Sequence, residues 1–270
     1  MSDQSQQVVN SIQSAVSQNQ ISSQAGQLVL ESLDDLAVAG CQGISVDDID
    51  SEDITLVAVV LDASFSMHPY RDAVIDAYNN HFLKPLSGAK NAQSIQVSTW
   101  DFSRSLGRDN VRLIHGYTPV PDCGKLTRNL YDPDGETPLN DAVYHAQTGM
   151  IGYGQTLRDA GVRTKCIIVV LSDGGENASK VSASKVRTIS EDLLRQEIYV
   201  LSYIFFGDES QGDQYAKNIG FPSQHRITAS LGDSEIRRIF GTVSASVISA
   251  SQTQISANSL SANAFFVNGR

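Results

Sequence analysis

The chain has 270 residues, 41% of them hydrophobic, and a formal net charge of −10. That length suits one α/β domain with extensions or two small domains, with apolar residues enough for a sizeable core. The acidic balance, with no Lys/Arg cluster beyond Arg237-Arg238, speaks against nucleic acid as a partner, and no apolar run approaches the roughly eighteen residues that cross a membrane.

Residues 1–50 are rich in Ser, Gln, Ala and Asp, without Lys, Arg or an aromatic residue. Met1 to Gln20 therefore lacks the basic and long apolar regions of a secretory signal, and a cytoplasmic location is the simplest inference. Val8, Ile12 and Val16 recur every four residues, as do Ala25, Val29 and Leu33, which predicts short amphipathic helices packed on their own domain rather than docked on a partner. Gly40, Gly43 and the acidic stretch Asp47 to Asp53 read as a linker. The main domain is expected over residues 51–250. The composition of residues 1–20 and 251–270, short of large apolar groups, predicts termini that are mobile alone and order only against a partner or another copy.

Ile54 to Leu61, Cys166 to Leu171 and Ile198 to Phe206 are nearly continuous β-branched and apolar runs, suited to parallel strands buried on both faces. Ile95 to Phe102 and Val111 to His115 alternate more, as strands nearer an edge do. Helical spacing of apolar residues falls between them, at Tyr70 to Leu83, Pro138 to Met150, Ser182 to Gln196 and Asp233 to Ile248. Alternating strands and helices imply an α/β fold, a doubly wound and mostly parallel sheet with helices on both faces. Residues 251–270 return to Ser, Asn, Ala and Gln and read as a tail.

In such a sheet ligands bind beyond the carboxyl ends of the strands. The first buried strand is followed by Asp62-Ala-Ser64-Phe-Ser66, the strand Cys166 to Leu171 by Ser172-Asp173-Gly174-Gly175, and Gly135-Glu-Thr137-Pro138-Leu139 opens a helix, with Thr137 expected at its N-cap and Pro138 at its first position. Two carboxylates and three hydroxyls make an all-oxygen donor set of the kind a hard divalent cation prefers. The alternate spacing of positions 62, 64 and 66 turns one carboxylate and two hydroxyls inward from a single loop.

Asp-x-Ser-x-Ser, a distant Thr-Pro-Leu and a later strand ending in Ser-Asp-Gly resemble the metal-ion-dependent adhesion site of von Willebrand factor A domains, over roughly residues 54–250. The resemblance implies that Ser64, Ser66 and Thr137 coordinate Mg²⁺ (or Mn²⁺) directly, with Asp62 and Asp173 acting through bound water. It also implies a partner protein that supplies Asp or Glu to the metal, in an adaptor or assembly role beside AAA+ ATPases or in stress response. The segment Phe240-Gly-Thr-Val-Ser-Ala-Ser-Val is similar to bacterial cytoplasmic members of the tellurium-resistance type.

Other chemistries find less support. No Gly-x-Ser-x-Gly elbow and no Gly-x-x-x-x-Gly-Lys-Ser/Thr loop occurs. A phosphatase could use Asp62 as nucleophile, but Ser64 stands where its acid/base Asp belongs, so no enzyme activity is expected. Cys41, Cys123 and Cys166 are isolated and suggest neither a disulfide framework nor a zinc site. His81 and His145 read as packing or surface residues, and His68, just past the metal loop, as a possible partner contact. The long segment Tyr117 to Glu136 either shapes the rim of the metal site or covers a sheet edge. A Mg²⁺-dependent hydrolase, or a structural subunit assembling through its termini, are the alternatives to a binding module.

Overall fold

The apolar runs form strands of a single sheet in the computed structural model, which describes residues 2–105, 109–253 and 265–266. The strands are β1 (Asp53–Asp62), β2 (Ile95–Phe102), β3 (Val111–Pro119), β4 (Arg163–Ser172), β5 (Tyr199–Phe206) and β6 (Arg226–Ala229), in the spatial order β3-β2-β1-β4-β5-β6. All pairs are parallel except β2 with β3. Side chains alternate across a strand, so a strand in mid-sheet must be apolar on both sides. In β1, Leu56, Ala58 and Val60 enter one core and Val57, Val59 and Leu61 the other.

The helices are α1 (Asp3–Ser17), α2 (Ser23–Glu31), α3 (Asp35–Gly40), α4 (Arg71–Asp76), α5 (Lys84–Ser87), α6 (Leu139–Asp159), α7 (Ala183–Leu193), α8 (Glu209–Asn218) and α9 (Asp233–Gln252). A π-helical stretch, Ala77–Leu83, joins α4 to α5, and there the Lys84 N–H bonds back five residues to Asn79 O. The cores place α4, α5 and α9 on one face of the sheet and α6, α7 and α8 on the other. The fold is thus α/β, doubly wound and mostly parallel.

The first three helices add a further layer outside α6. Val8, Ile12 and Ala15 of α1, Ala25 and Val29 of α2 and Val38 of α3 share one apolar cluster with Tyr144, Met150 and Ile151 of α6. Every residue from Leu139 to Gln155 is buried in consequence. The expectation that residues 1–20 are mobile alone is corrected for α1: its polar residues hide a complete apolar stripe, and Ser14 also donates to Asp159 at 2.9 Å. Gly40 is no loose linker residue either. A side chain at Gly149 would come within 2.6 Å of the Gly40 carbonyl oxygen, so α3 and α6 touch backbone to backbone through two glycines.

Two elements escape the periodicity argument. In α8 only Gly212 and Ala216 are buried, so no apolar stripe marks it, and β6 is four residues long. At the other end α9 continues to Gln252, and Phe265 is buried with its ring 6.4 Å from that of His225. The mobility expected of residues 254–264 and 267–270 falls outside the described residues.

Candidate functional site

β1 lies at the centre of the strand order, between β2 and β4. The chain leaves β1 toward α4 on one face and leaves β4 toward α7 on the other, so a crevice opens between their carboxyl ends. Asp62 is the last residue of β1 and Ser172 the last of β4, and each carries its loop into that crevice.

Asp62 is 1% exposed. Its Oδ1 accepts the Ser64 N–H at 2.8 Å, which folds the loop into a tight turn, and its Oδ2 accepts the Ser172 hydroxyl. Ser64 Oγ and Ser66 Oγ lie 3.1 Å apart, and Ser66 Oγ donates to Asp173 Oδ1 at 2.8 Å. Four of the five residues singled out by the sequence thus form one hydrogen-bonded chain, from Asp62 through Ser64 and Ser66 to Asp173. Thr137 borders the same space: a methyl group built on Gly174 would sit 3.4 Å from Thr137 Oγ1 and 4.0 Å from Asp62 Oδ2.

Thr137 arrives by a route the sequence did not reveal. Pro138, not Thr137, is the N-cap of α6, and no side chain of that residue caps the helix. The loop after Asp173 does so instead. Glu176 Oε2 accepts the Asn140 N–H at 2.8 Å, Ser179 Oγ accepts the Asp141 N–H at 3.1 Å, and Asn177 Oδ1 accepts the Thr137 N–H at 2.8 Å. The expected N-cap role of Thr137 is therefore corrected. Orphan donors at a helix start need an acceptor, and here a neighbouring loop provides it, relieving the Thr137 hydroxyl of that task.

The segment from Tyr117 to Glu136 shapes the site's rim. Tyr131 is fully buried and its hydroxyl donates to the Asp62 carbonyl oxygen at 2.6 Å. Asp134 N–H bonds to Ala63 O and Phe65 N–H to Gly135 O, at 2.9 and 3.0 Å. Gly135 has φ +79°, and a side chain there would run into the Arg104 carbonyl, to which Glu136 pairs in a short bridge. Ser172, Tyr131, Glu176 and Asn177 all went unassigned from sequence. Ser172 alone had a signal, as the residue joining the buried strand to Asp173.

Burial pushes the Asp62 carboxyl up to about 6, against the lowering effect of the Ser172 and Ser64 hydrogen bonds and with the Asp173 charge adding to the rise. Burial likewise raises Asp173, against its bond from Ser66. Among the described residues neither carboxylate has an ion-pair partner. Two half-stranded negative charges facing three hydroxyls are what a cation of the oxygen-binding kind would relieve. No group of three or more His, Cys, Asp or Glu that could hold a metal occurs among the described residues.

His145, read from sequence as packing or surface, is buried and stands 3.1 Å from Asp34 through Nε2. His68 is exposed beside the site, its ring stacked on Phe65 at 6.3 Å. Cys41, Cys123 and Cys166 are free thiols, and burial pushes Cys41 and Cys123 up to about 12. No helix among the described residues is long and apolar enough to cross a membrane.

No protein-family model matches the sequence, and no relative was found among curated proteins. Solved structures do match. The vWF domain of the type V pili tip protein Mfa5 from Porphyromonas gingivalis aligns at 9% identity and TM-score 0.52, over 76% of this chain and 98% of that one. The pilus adhesin SpaC from Lactobacillus rhamnosus GG aligns at 10% identity and TM-score 0.55 over 75% of this chain, and the PilB minor pilin from Streptococcus sanguinis at 14% and 0.50 over 76%. This chain spans 31% of the SpaC chain and 63% of the PilB chain. None of these three is a tellurium-resistance protein. At such identities the likeness is one of backbone, and the backbone is that of a von Willebrand factor A-type domain.

Proposed function

We propose that the chain is a Mg²⁺-dependent protein-binding module, an adaptor or assembly factor that captures an Asp or Glu side chain of a partner. The observation that carries this reading is the hydrogen-bonded chain Asp62–Ser64–Ser66–Asp173 at the strand switch point, with Thr137 across Gly174. Ser64, Ser66 and Thr137 would hold the ion directly, and Asp62 and Asp173 through water. The all-oxygen set suits Mg²⁺, with Mn²⁺ as a substitute. Ligated mainly by neutral hydroxyls, a bound divalent ion keeps positive charge to offer an incoming carboxylate. We read the site as non-catalytic, because position 64 holds Ser where a phosphatase needs a second carboxylate. We further propose an intracellular role, in stress response or beside an AAA+ ATPase, as the family resemblance of the three-part motif implies.

The test is calorimetry of Mg²⁺ binding to wild type and Asp62→Ala, combined with affinity capture from host lysate in Mg²⁺ and in EDTA. Metal binding lost in the variant, and a partner lost on chelation, are expected. A partner that survives EDTA would favour a structural subunit. Turnover of aryl or acyl phosphates that disappears in Asp62→Ala would favour a hydrolase. The pilus proteins among the structural neighbours support a second reading, adhesion at a cell surface, which fractionation of the host distinguishes.

A further inference from the structure

Among the described residues two large apolar side chains are exposed, Phe65 at 67% and Leu130 at 41%. Singly exposed apolar residues need no explanation. What asks for one is their placement. Phe65 sits between Ser64 and Ser66 on the loop that carries two proposed metal ligands. Leu130 precedes Tyr131, whose hydroxyl bonds the backbone of Asp62. Neither loop floats free. Phe65 N–H is tied to Gly135 O at 3.0 Å, and Leu130 O accepts from Arg112 Nη2 at 2.8 Å. Elsewhere the same loops bury their apolar residues, Met67 at 3% and Leu126 at 2% exposure, so the exposure of Phe65 and Leu130 is not general looseness.

The charges around them constrain a partner further. Arg71 pairs with Asp132 at 2.8 Å, Arg128 holds Asp72 through Nε at 2.9 Å, and Arg104 lies 3.9 Å from Glu136. The arginines flanking the site are thus already matched to carboxylates. A second carboxylate on a partner segment would find none of these three arginines unmatched, so among these groups only the metal is left to attract one.

We infer that the site selects a protein segment carrying a single carboxylate flanked by large apolar residues, with Phe65 and Leu130 as its apolar rim. The inference rests on the metal-held carboxylate of the proposed function. An exposed aromatic beside a desolvated charge is the usual make-up of an interface anchor, because its burial adds affinity while excluding water from the ion contact.

The probes are two blocked peptide amides, Ala-Ala-Glu-Ala-Ala and Ala-Leu-Glu-Phe-Ala, titrated into full-length protein in Mg²⁺ and in EDTA and followed by NMR shifts. The apolar-flanked peptide is expected to bind about tenfold more tightly in Mg²⁺. Phe65→Ser and Leu130→Ser are each expected to shrink that ratio, which compares two ligands on one protein and so is insensitive to partial unfolding or a weakened metal site. Equal binding of the two peptides by wild type, or an undiminished ratio in both variants, overturns the inference and leaves the metal–carboxylate reading standing. Binding of neither peptide, or of both equally in EDTA, overturns the metal–carboxylate reading and this inference with it.

Discussion

Ser66 donates its hydroxyl proton to Asp173 at 2.8 Å, across 107 residues of sequence. The bond bridges the loops that follow β1 and β4, and Ser172, at the end of β4, makes a second bridge by donating to Asp62. Both carboxylates are held by hydroxyl groups and backbone N–H groups, with no ion-pair partner among the described residues, and their response to protons and cations follows from that.

Asp62 lies near pH 6 in the fold, against 3.8 for an ordinary Asp. Between about pH 4 and 6 the folded chain therefore holds a proton that the unfolded chain has lost. The stability this group contributes is full below about pH 4 and lost as pH rises through 6. A metal ion requires the deprotonated carboxylate, so it acts in the opposite sense. Mg²⁺ should raise the Tm more at pH 7.5 than at pH 5.0, and Asp62→Asn should abolish most of the difference. Thermal melts at the two pH values, with and without Mg²⁺, check this, and equal shifts would count against it.

Thr137 and Glu176 should separate metal binding from stability. Thr137→Ala removes no helix cap, and its cost in metal-free protein should stay within about 1 kcal/mol, while its response to Mg²⁺ is lost. Glu176→Ala strips an acceptor from Asn140, Ala178 and Ser179 and should cost about 2 kcal/mol. Urea unfolding in EDTA measures both, and a larger loss in Thr137→Ala than in Glu176→Ala would contradict the assignment.

Gly149→Ala should destabilise the protein by about 2 kcal/mol or more, because the new methyl would fall on the Gly40 carbonyl and push α3 off α6. Gly241, with nothing near its built side chain, provides the control: Gly241→Ala should be neutral or stabilising. Denaturant midpoints of the two variants decide the matter.

Ile12 is fully buried in the cluster shared by α1 and α6. Ile12→Ala should cost about 3 kcal/mol. Amide exchange should show α1 protected well beyond a fraying terminus, and rapid exchange throughout Asp3–Ser17 would contradict the packing described.

The strands of the central sheet and the donor set of the site were legible because both depend on short-range regularities. An apolar run such as Cys166 to Leu171 can satisfy only a strand covered on both sides, and Asp62, Ser64 and Ser66 share one loop with alternate spacing. What stayed hidden depends on partners distant in sequence. The cap of α6 comes from Glu176 and Ser179, more than thirty residues on, so Thr137 looked like a cap that it is not. Tyr131 reaches Asp62 across 69 residues, with nothing local to mark it. In α1 a Ser/Gln-rich composition masks the buried stripe, which the four-residue spacing of Val8 and Ile12 marks. The glycines at 40 and 149 read as punctuation, while their role is contact.

The π-helical stretch Ala77–Leu83 means that the helix between β1 and β2 contains a residue more than its length requires. Each residue turns an α-helix by about 100°, and the wider π turn takes up the surplus residue, so deleting one there would restore a plain α-helix with its two ends in register. Asp76, which binds Arg237 at 2.7 Å, and Phe82, buried against Phe240, would then both keep their partners. Asn79 sits inside the stretch and exchanges two hydrogen bonds with the backbone of Leu126, at 2.9 and 2.8 Å. In descent, then, the surplus residue is kept for Asn79: loss of one codon here would spare the helix ends and remove the anchor of the rim loop at Leu126.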